Sequence, residues 1–322
     1  MNNDMKKFLR KLILLPFPVI IIFALWYSFG AFVVGNQHIE LYETGLVKKV
    51  ARLESINEPK IILAGDSNVA FGTNSPMIEA AFNMPVVNVG FQGALSNAFN
   101  EDIAKLGINS GDIVILSHSD FADNDRIAST YILWDTLEYN WELYKILRVK
   151  DFFDVLRSYP SYWWRSFVFW ITGTGNRVPP SVYASRGFNE FGDMVIKPEQ
   201  YRKSTEEMFK PGNIKVPQIN DICINRLKEY NKFITNRGAT LLIAGCPIPY
   251  GKFTPPAEEY DKFQRELATR LDCEIISDFR EYFIPYEYFY DSTRHLTNEG
   301  AKIRTAQLIK DLQRWQNKTG NR

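Results

Sequence analysis

Five short apolar runs, set apart by helix-like stretches, constrain this chain more than any other feature. Ile61 to Ala64, Val86 to Asn88, Ile113 to Leu116, Thr240 to Ala244 and Glu274 to Ile276 read as strands buried on both faces. Between and after them lie helical patterns: Pro76 to Phe82 with Ser75 as N-cap, Asn97 to Leu106, Ile219 to Asn236 stopped by Gly238, Ala257 to Arg270, and Asn298 to Gln316. Strands and helices in this order predict an α/β fold, a doubly wound five-stranded parallel sheet in a three-layer αβα arrangement. Ligands of such sheets bind at the carboxyl ends of the strands.

Ahead of the first strand, Leu12 to Val34 (LILLPFPVIIIFALWYSFGAFVV) carries no charge. At about 1.5 Å per residue it can cross a bilayer core of about 30 Å. Pro16 and Pro18 fall in its first turns, where a missing backbone donor is tolerated, and Trp26 and Tyr27 sit toward its far end. Lys6, Lys7, Arg10 and Lys11 precede the run, while only Lys48 and Lys49 follow closely. The positive-inside bias therefore puts residues 1–11 in the cytoplasm, makes 12–34 a transmembrane helix and leaves the rest extracytoplasmic. Ser28-Phe29-Gly30 would suit signal-peptide cleavage, but the apolar run continues to Val34, which favours an uncleaved anchor.

Residues 35–58 read as a polar, partly helical stalk, and Pro59 opens the α/β domain, residues 59–322. One segment, 123–215, shows no clear strand and holds a dense aromatic run, YWWRSFVFWI from Tyr162 to Ile171. It reads as an insertion, either a cap over the site or a helical hairpin packed on the sheet, and the run could lie in a membrane interface. Thirty-eight Lys and Arg against 37 Asp and Glu leave a net charge of +1, so no field gathers nucleic acid. Cys223, Cys246 and Cys273 are too widely spaced for a zinc or disulfide pattern, so no thiolate metal site is expected. Neither G-x-G-x-x-G after the first strand nor G-x-x-x-x-G-K-[ST] occurs, which counts against a nucleotide cofactor.

The stretch KIILAGDSNVAFG, Lys60 to Gly72, ends a buried strand in Gly65-Asp66-Ser67 and continues into a helix-like turn. Ser67 is thereby placed at a strand's carboxyl end with its hydroxyl exposed. A serine hydroxyl is inert at neutral pH unless a base takes its proton. Only His38, His118 and His295 could supply an imidazole. His295, in FYDSTRHLTNEG, sits just before a helix and after Asp291, a carboxylate able to fix the imidazole tautomer.

These two ends together resemble the SGNH (GDSL-type) hydrolase family. GDSN, Gly65 to Asn68, matches the serine block. VVNVGFQGALS, Val86 to Ser96, matches the glycine block through Asn88 and Gly93, and DSTRHLTNEG matches the last block. The resemblance covers roughly residues 60–120 and 215–315. It implies a flavodoxin-like fold with Ser67 as nucleophile, His295 as base and Asp291 as orienting acid. Asp66, Asn68 and His118 are auxiliary candidates, and no metal or cofactor is called for. The family's third block usually offers an Asn side chain to the oxyanion hole; here Leu116-Ser117-His118-Ser119-Asp120 puts Ser119 at that position. The hole is therefore expected from the Ser67 and Gly93 amides and the Ser119 hydroxyl. The family usually reads Asp-x-x-His, whereas three residues separate Asp291 from His295, so a longer turn must carry the carboxylate.

A single anchor before an outward SGNH domain is similar to membrane-attached family members that add or remove acyl groups on envelope polymers, often beside a multispanning acyltransferase. The resemblance implies an ester hydrolase or O-acyltransferase working on acyl esters, acetyl first, of a cell-envelope glycan. The alternative is a catalytically silent accessory protein that docks a membrane acyltransferase through residues 123–215.

Overall fold

The computed structural model describes residues 3–30, 34, 40–122, 125–175, 181–196, 209, 214–251 and 256–320. Its strands are β1 (Ile61–Gly65), β2 (Val86–Asn88), β3 (Ile113–Ser117), β4 (Thr240–Ile243), β5 (Ile248–Tyr250), β6 (Glu274–Ile275) and β7 (Phe283–Pro285). Five of them form an all-parallel sheet in the order β2-β1-β3-β4-β6, each starting where an apolar run begins. β5 and β7, which no apolar run announced, pair with each other in a separate parallel ribbon.

Alternation along the strands gives the sheet two apolar faces. Ile62, Ala64, Val114, Leu116, Leu241 and Ile243 join the larger core, while Ile61, Leu63, Ile113, Ile115 and Leu242 join the smaller one. The larger core is covered by α3 (Gly45–Ser55), α6 (Asn97–Ala104), α9 (Asp221–Thr235) and α10 (Ala257–Arg270), the smaller by α5 (Ser75–Phe82) and α11 (Asn298–Gly320). Asn74, not Ser75, caps α5, because its side-chain oxygen accepts from the Met77 amide while Ser75 turns inward to Asp193.

At the N-terminus, α1 (Asn3–Leu14) and α2 (Pro16–Phe29) form one run of 27 residues, with a mean hydropathy of 2.3 over its most apolar window and nothing buried there. The run is long and apolar enough to cross a membrane. Of the span expected to reach Val34, residues 31–33 lie outside the described residues.

The segment read as a stalk is in large part not one. α3 buries Leu46, Val50 and Leu53 in the larger core, each worth about 2 kcal/mol of apolar burial. Its Lys49 is buried too, donating to the Gly90 carbonyl at 2.5 Å, and burial lowers its amine to about 7. Residues 35–39 lie outside the described part.

Within 123–215, α7 (Thr130–Leu137) and α8 (Val149–Thr172) pack together, with Trp134 stacked on Tyr162 at 4.8 Å. Leu133, Trp134 and Leu137 of α7 and Val155, Tyr159 and Tyr162 of α8 join the larger core that covers one face of the sheet. α7 leans on the turns at Tyr42–Thr44 and Gly93–Leu95, beyond the strand ends. Residues 123, 124, 176–180, 197–208, 210–213 and 252–255 lie outside the described part.

Candidate active site

From β1 the chain crosses to β2 on one side and returns as β3 on the other, so the strand order reverses between β1 and β3. Open α/β sheets bind ligands at such a reversal. Residues from the ends of both strands meet there. Gly65, paired with Ser117, has φ +145°, and a Cβ on it would overlap the Ser117 carbonyl oxygen, so only glycine lets the two strand ends close. Immediately after it, Asp66 caps α4 (Ser67–Gly72), accepting from the Asn68 amide at 2.8 Å, and Ser67 takes the first helical position, half-buried and facing the strand ends.

His295 reaches this serine from across the chain. Ser67 Oγ lies 2.9 Å from His295 Nε2, and His295 Nδ1 lies 2.7 Å from Asp291 Oδ1. A carboxylate can only accept, so an Nδ1 proton points at Asp291; in that neutral tautomer the Nε2 lone pair is the one that faces the serine hydroxyl. The extra residue between Asp291 and His295 is taken up by Ser292, whose hydroxyl accepts from the Arg294 and His295 amides at 3.1 and 3.0 Å. The loop is closed by the Tyr290 amide donating to the His295 carbonyl at 2.8 Å. The His295 ring stacks on Phe71 of α4 at 4.1 Å and 12°, which fixes its plane.

The insertion adds a group that the motifs did not announce. Tyr183 donates its hydroxyl to Asp291 Oδ2, on the carboxylate oxygen that His295 leaves free. Nothing in the spacing near Tyr183 marks it, because its partner lies 108 residues on.

Of the residues expected to form the oxyanion hole, Gly93 lies close to the serine turn. The Gly93 turn lies against the serine loop: a Cβ on Gly93 would meet only Asp66 Cβ, at 3.9 Å. Ser119 is different. Its hydroxyl donates to Asp66 Oδ2 at 2.6 Å, and a hydroxyl has one proton to give, so the expected third donor is already committed. Burial pushes the Asp66 carboxyl up, but the Ser119 hydroxyl, the Asn68 amides and nearby His118 more than reverse that and hold it below the usual carboxylate range. Asp66 is thus a buried organiser of the turn.

Asn68 is another. Its amide donates to Asp66 Oδ1 at 2.6 Å and to the Ser117 carbonyl at 3.0 Å, tying β3 to α4. His118 is fully buried with Nε2 2.6 Å from Glu101 Oε1, which also receives Arg226 at 3.0 Å. It belongs to an ion cluster under α6, and its candidacy as an oxyanion donor falls.

Arg304 is a second residue that motif matching missed. It is 2% exposed and donates to the Asn68 carbonyl at 3.3 Å and to Ser117 Oγ at 2.9 Å, so α11 braces the back of the serine turn. A signal existed. Arg304 sits on the Ala301, Thr305, Leu308 and Leu312 stripe of α11, where a charge among core positions needs partners.

Cys246, at the end of the loop after β4, is no rival nucleophile, because burial pushes its thiol up to about 11. Among the described residues no group of three or more His, Cys, Asp and Glu side chains could hold a metal ion. The arrangement can deprotonate a hydroxyl and carry the charge on an imidazole backed by a carboxylate. Neither any protein-family model nor any curated protein matches the chain.

Proposed function

We propose that this chain is a membrane-anchored serine ester hydrolase or O-acyltransferase of the SGNH type, with its domain on the extracytoplasmic side, acting on acyl esters of a cell-envelope glycan. The observation that carries the reading is the unbroken line Asp291, His295, Ser67, at 2.7 and 2.9 Å. The glycan and the outward topology rest on the family resemblance and on the charges flanking Leu12 to Val34.

In the first half-reaction Ser67 Oγ attacks the ester carbonyl as its proton passes to His295 Nε2. Asp291 offsets the imidazolium charge, and the Ser67 and Gly93 amides face the oxyanion. Collapse breaks the ester C–O bond, the leaving alkoxide takes the proton from His295, and the acyl group stays on Ser67. Water or a sugar hydroxyl then attacks the acyl-serine, with His295 again taking the proton, giving hydrolysis or transfer.

A fluorophosphonate probe on the full-length protein tests the chemistry: it should label the wild type and fail on Ser67→Ala and His295→Ala, and an unlabelled wild type would refute the activated serine. The silent-scaffold reading draws on the committed Ser119 hydroxyl, and it predicts that unlabelled outcome. Protease added to spheroplasts tests the topology. Digestion of the domain down to a short N-terminal stub is expected, and a domain protected until lysis would refute the outward placement.

A further inference from the structure

α8 has three faces. Asp151, Val155, Tyr159, Tyr162 and Ser166 are buried at helical spacing. Lys150, Asp154, Arg157 and Ser161 form a polar edge. Between that edge and the buried side runs an exposed apolar stripe of Phe152, Phe153, Leu156, Trp164, Trp170 and Ile171, the least exposed of them at 38%. At about 100° per residue the stripe covers an arc of about 120°, extended by Val149 at the helix start. A helix facing water would carry charge there.

The stripe does not end in open solvent. Along its border with the buried side it meets the outer end of α2: Trp26 packs on Tyr159 at 5.2 Å and on Trp163 at 5.3 Å, and Phe29 on Trp170 at 6.1 Å. The Tyr159 hydroxyl donates to the Tyr27 carbonyl at 3.0 Å, and Gly30 is so close to Tyr159 and Trp163 that no side chain would fit. The apolar flank of α2, with Val19, Ile22 and Leu25 all more than 60% exposed, therefore runs without a polar break into the stripe of α8. A bilayer that holds α2 must meet that stripe at its headgroup boundary, where Trp and Phe partition well.

We infer that α8 is an interfacial helix, its Phe152 to Ile171 stripe seated in the outer headgroup layer of the same bilayer that holds α1 and α2. This rests on the reading of α1 and α2 as the membrane anchor.

Nitroxide labels on the full chain in phosphatidylcholine–phosphatidylglycerol nanodiscs test it, with the unsubstituted chain as background for Cys273. Phe153→Cys, Trp164→Cys and Ile171→Cys should show an oxygen-to-nickel-chelate collision ratio several-fold above Asp154→Cys and Ser161→Cys, as should Ile20→Cys in the anchor. Stripe labels as open to nickel as Asp154→Cys, with Ile20→Cys lipid-exposed, would overturn this inference alone. A nickel-accessible Ile20→Cys would overturn the anchor and this inference with it. Stripe labels shielded from both reagents would mean a protein partner covers α8, and that too overturns the lipid seat.

Discussion

Asp291→Ala isolates what the carboxylate adds to the reaction. Before proton transfer it accepts a hydrogen bond at 2.7 Å from the His295 ring, an interaction to a charged group worth about 1.5–3 kcal/mol. When Ser67 gives up its proton the ring becomes a cation. With charge centres about 4 Å apart and an effective dielectric of about 20, the attraction rises to about 4 kcal/mol. The two side chains are only 14% and 10% exposed, so water screens little of this. The difference, about 2 kcal/mol, is felt only as the barrier is climbed and sets a floor of about 30-fold on the loss of kcat. Loss of tautomer control deepens it, since a ring without Asp291 is free to turn an Nε2 proton toward Ser67. We expect kcat for p-nitrophenyl acetate to fall by about 10² or more with KM little changed. Thermal unfolding of the variant shows whether the fold is intact. A folded Asp291→Ala within about threefold of wild type would refute the reasoning.

Three further outcomes follow from the geometry. Gly65→Ala sets a side chain against the Ser117 carbonyl at φ +145°, so Tm should drop by about 5–15 °C, and an unchanged Tm would mean that the strand ends are looser than described. Ser119→Ala should keep kcat within about threefold, because the hydroxyl serves Asp66, whereas a loss near 10²-fold would return Ser119 to the oxyanion pocket. Lys49 has its amine lowered by burial to about 7, so the unfolded chain binds the extra proton between that pH and about 10.4. Stability should therefore rise with pH across this window by up to about 1.4 kcal/mol per unit and be lost again as pH falls toward 7; denaturant titrations of Lys49→Met should lack that slope, and parallel curves for the two proteins would count against a buried amine.

The sheet was legible because its strands are buried on both faces, and Ile61 to Ala64 or Ile113 to Leu116 can be little else in a chain of this composition. The pairing of Ser67 with His295 was legible for a chemical reason: an activated serine needs a base, and three histidines leave few choices. What escaped depends on partners remote in sequence. Ser119 matches a motif position, yet which acceptor its hydroxyl finds is decided by Asp66, 53 residues earlier. Lys48, Lys49 and Arg52 made α3 look like a solvated stalk, while its Leu46, Val50 and Leu53 stripe belonged to the core. β5 and β7 are three residues each, and Pro249 and Pro285 within them read as turns rather than strands.

The chain between the anchor and the site is short, and its shortness limits where chemistry can happen. Leu41 bridges Ala184, next to Tyr183, and Tyr42 stacks on Phe71, the ring beneath His295, only thirteen residues beyond Phe29. Fully extended, thirteen residues reach at most about 45 Å. With α1 and α2 in a bilayer and Ser67 as the nucleophile, both as proposed, that leash gives the serine a fixed working radius, and the packing of Tyr159 and Trp163 on Trp26 shortens it further. On the proposed activity, a polymer threaded through the envelope would be acylated or stripped only along the stretch passing within that radius, so the modification would mark where on the strand the membrane had been.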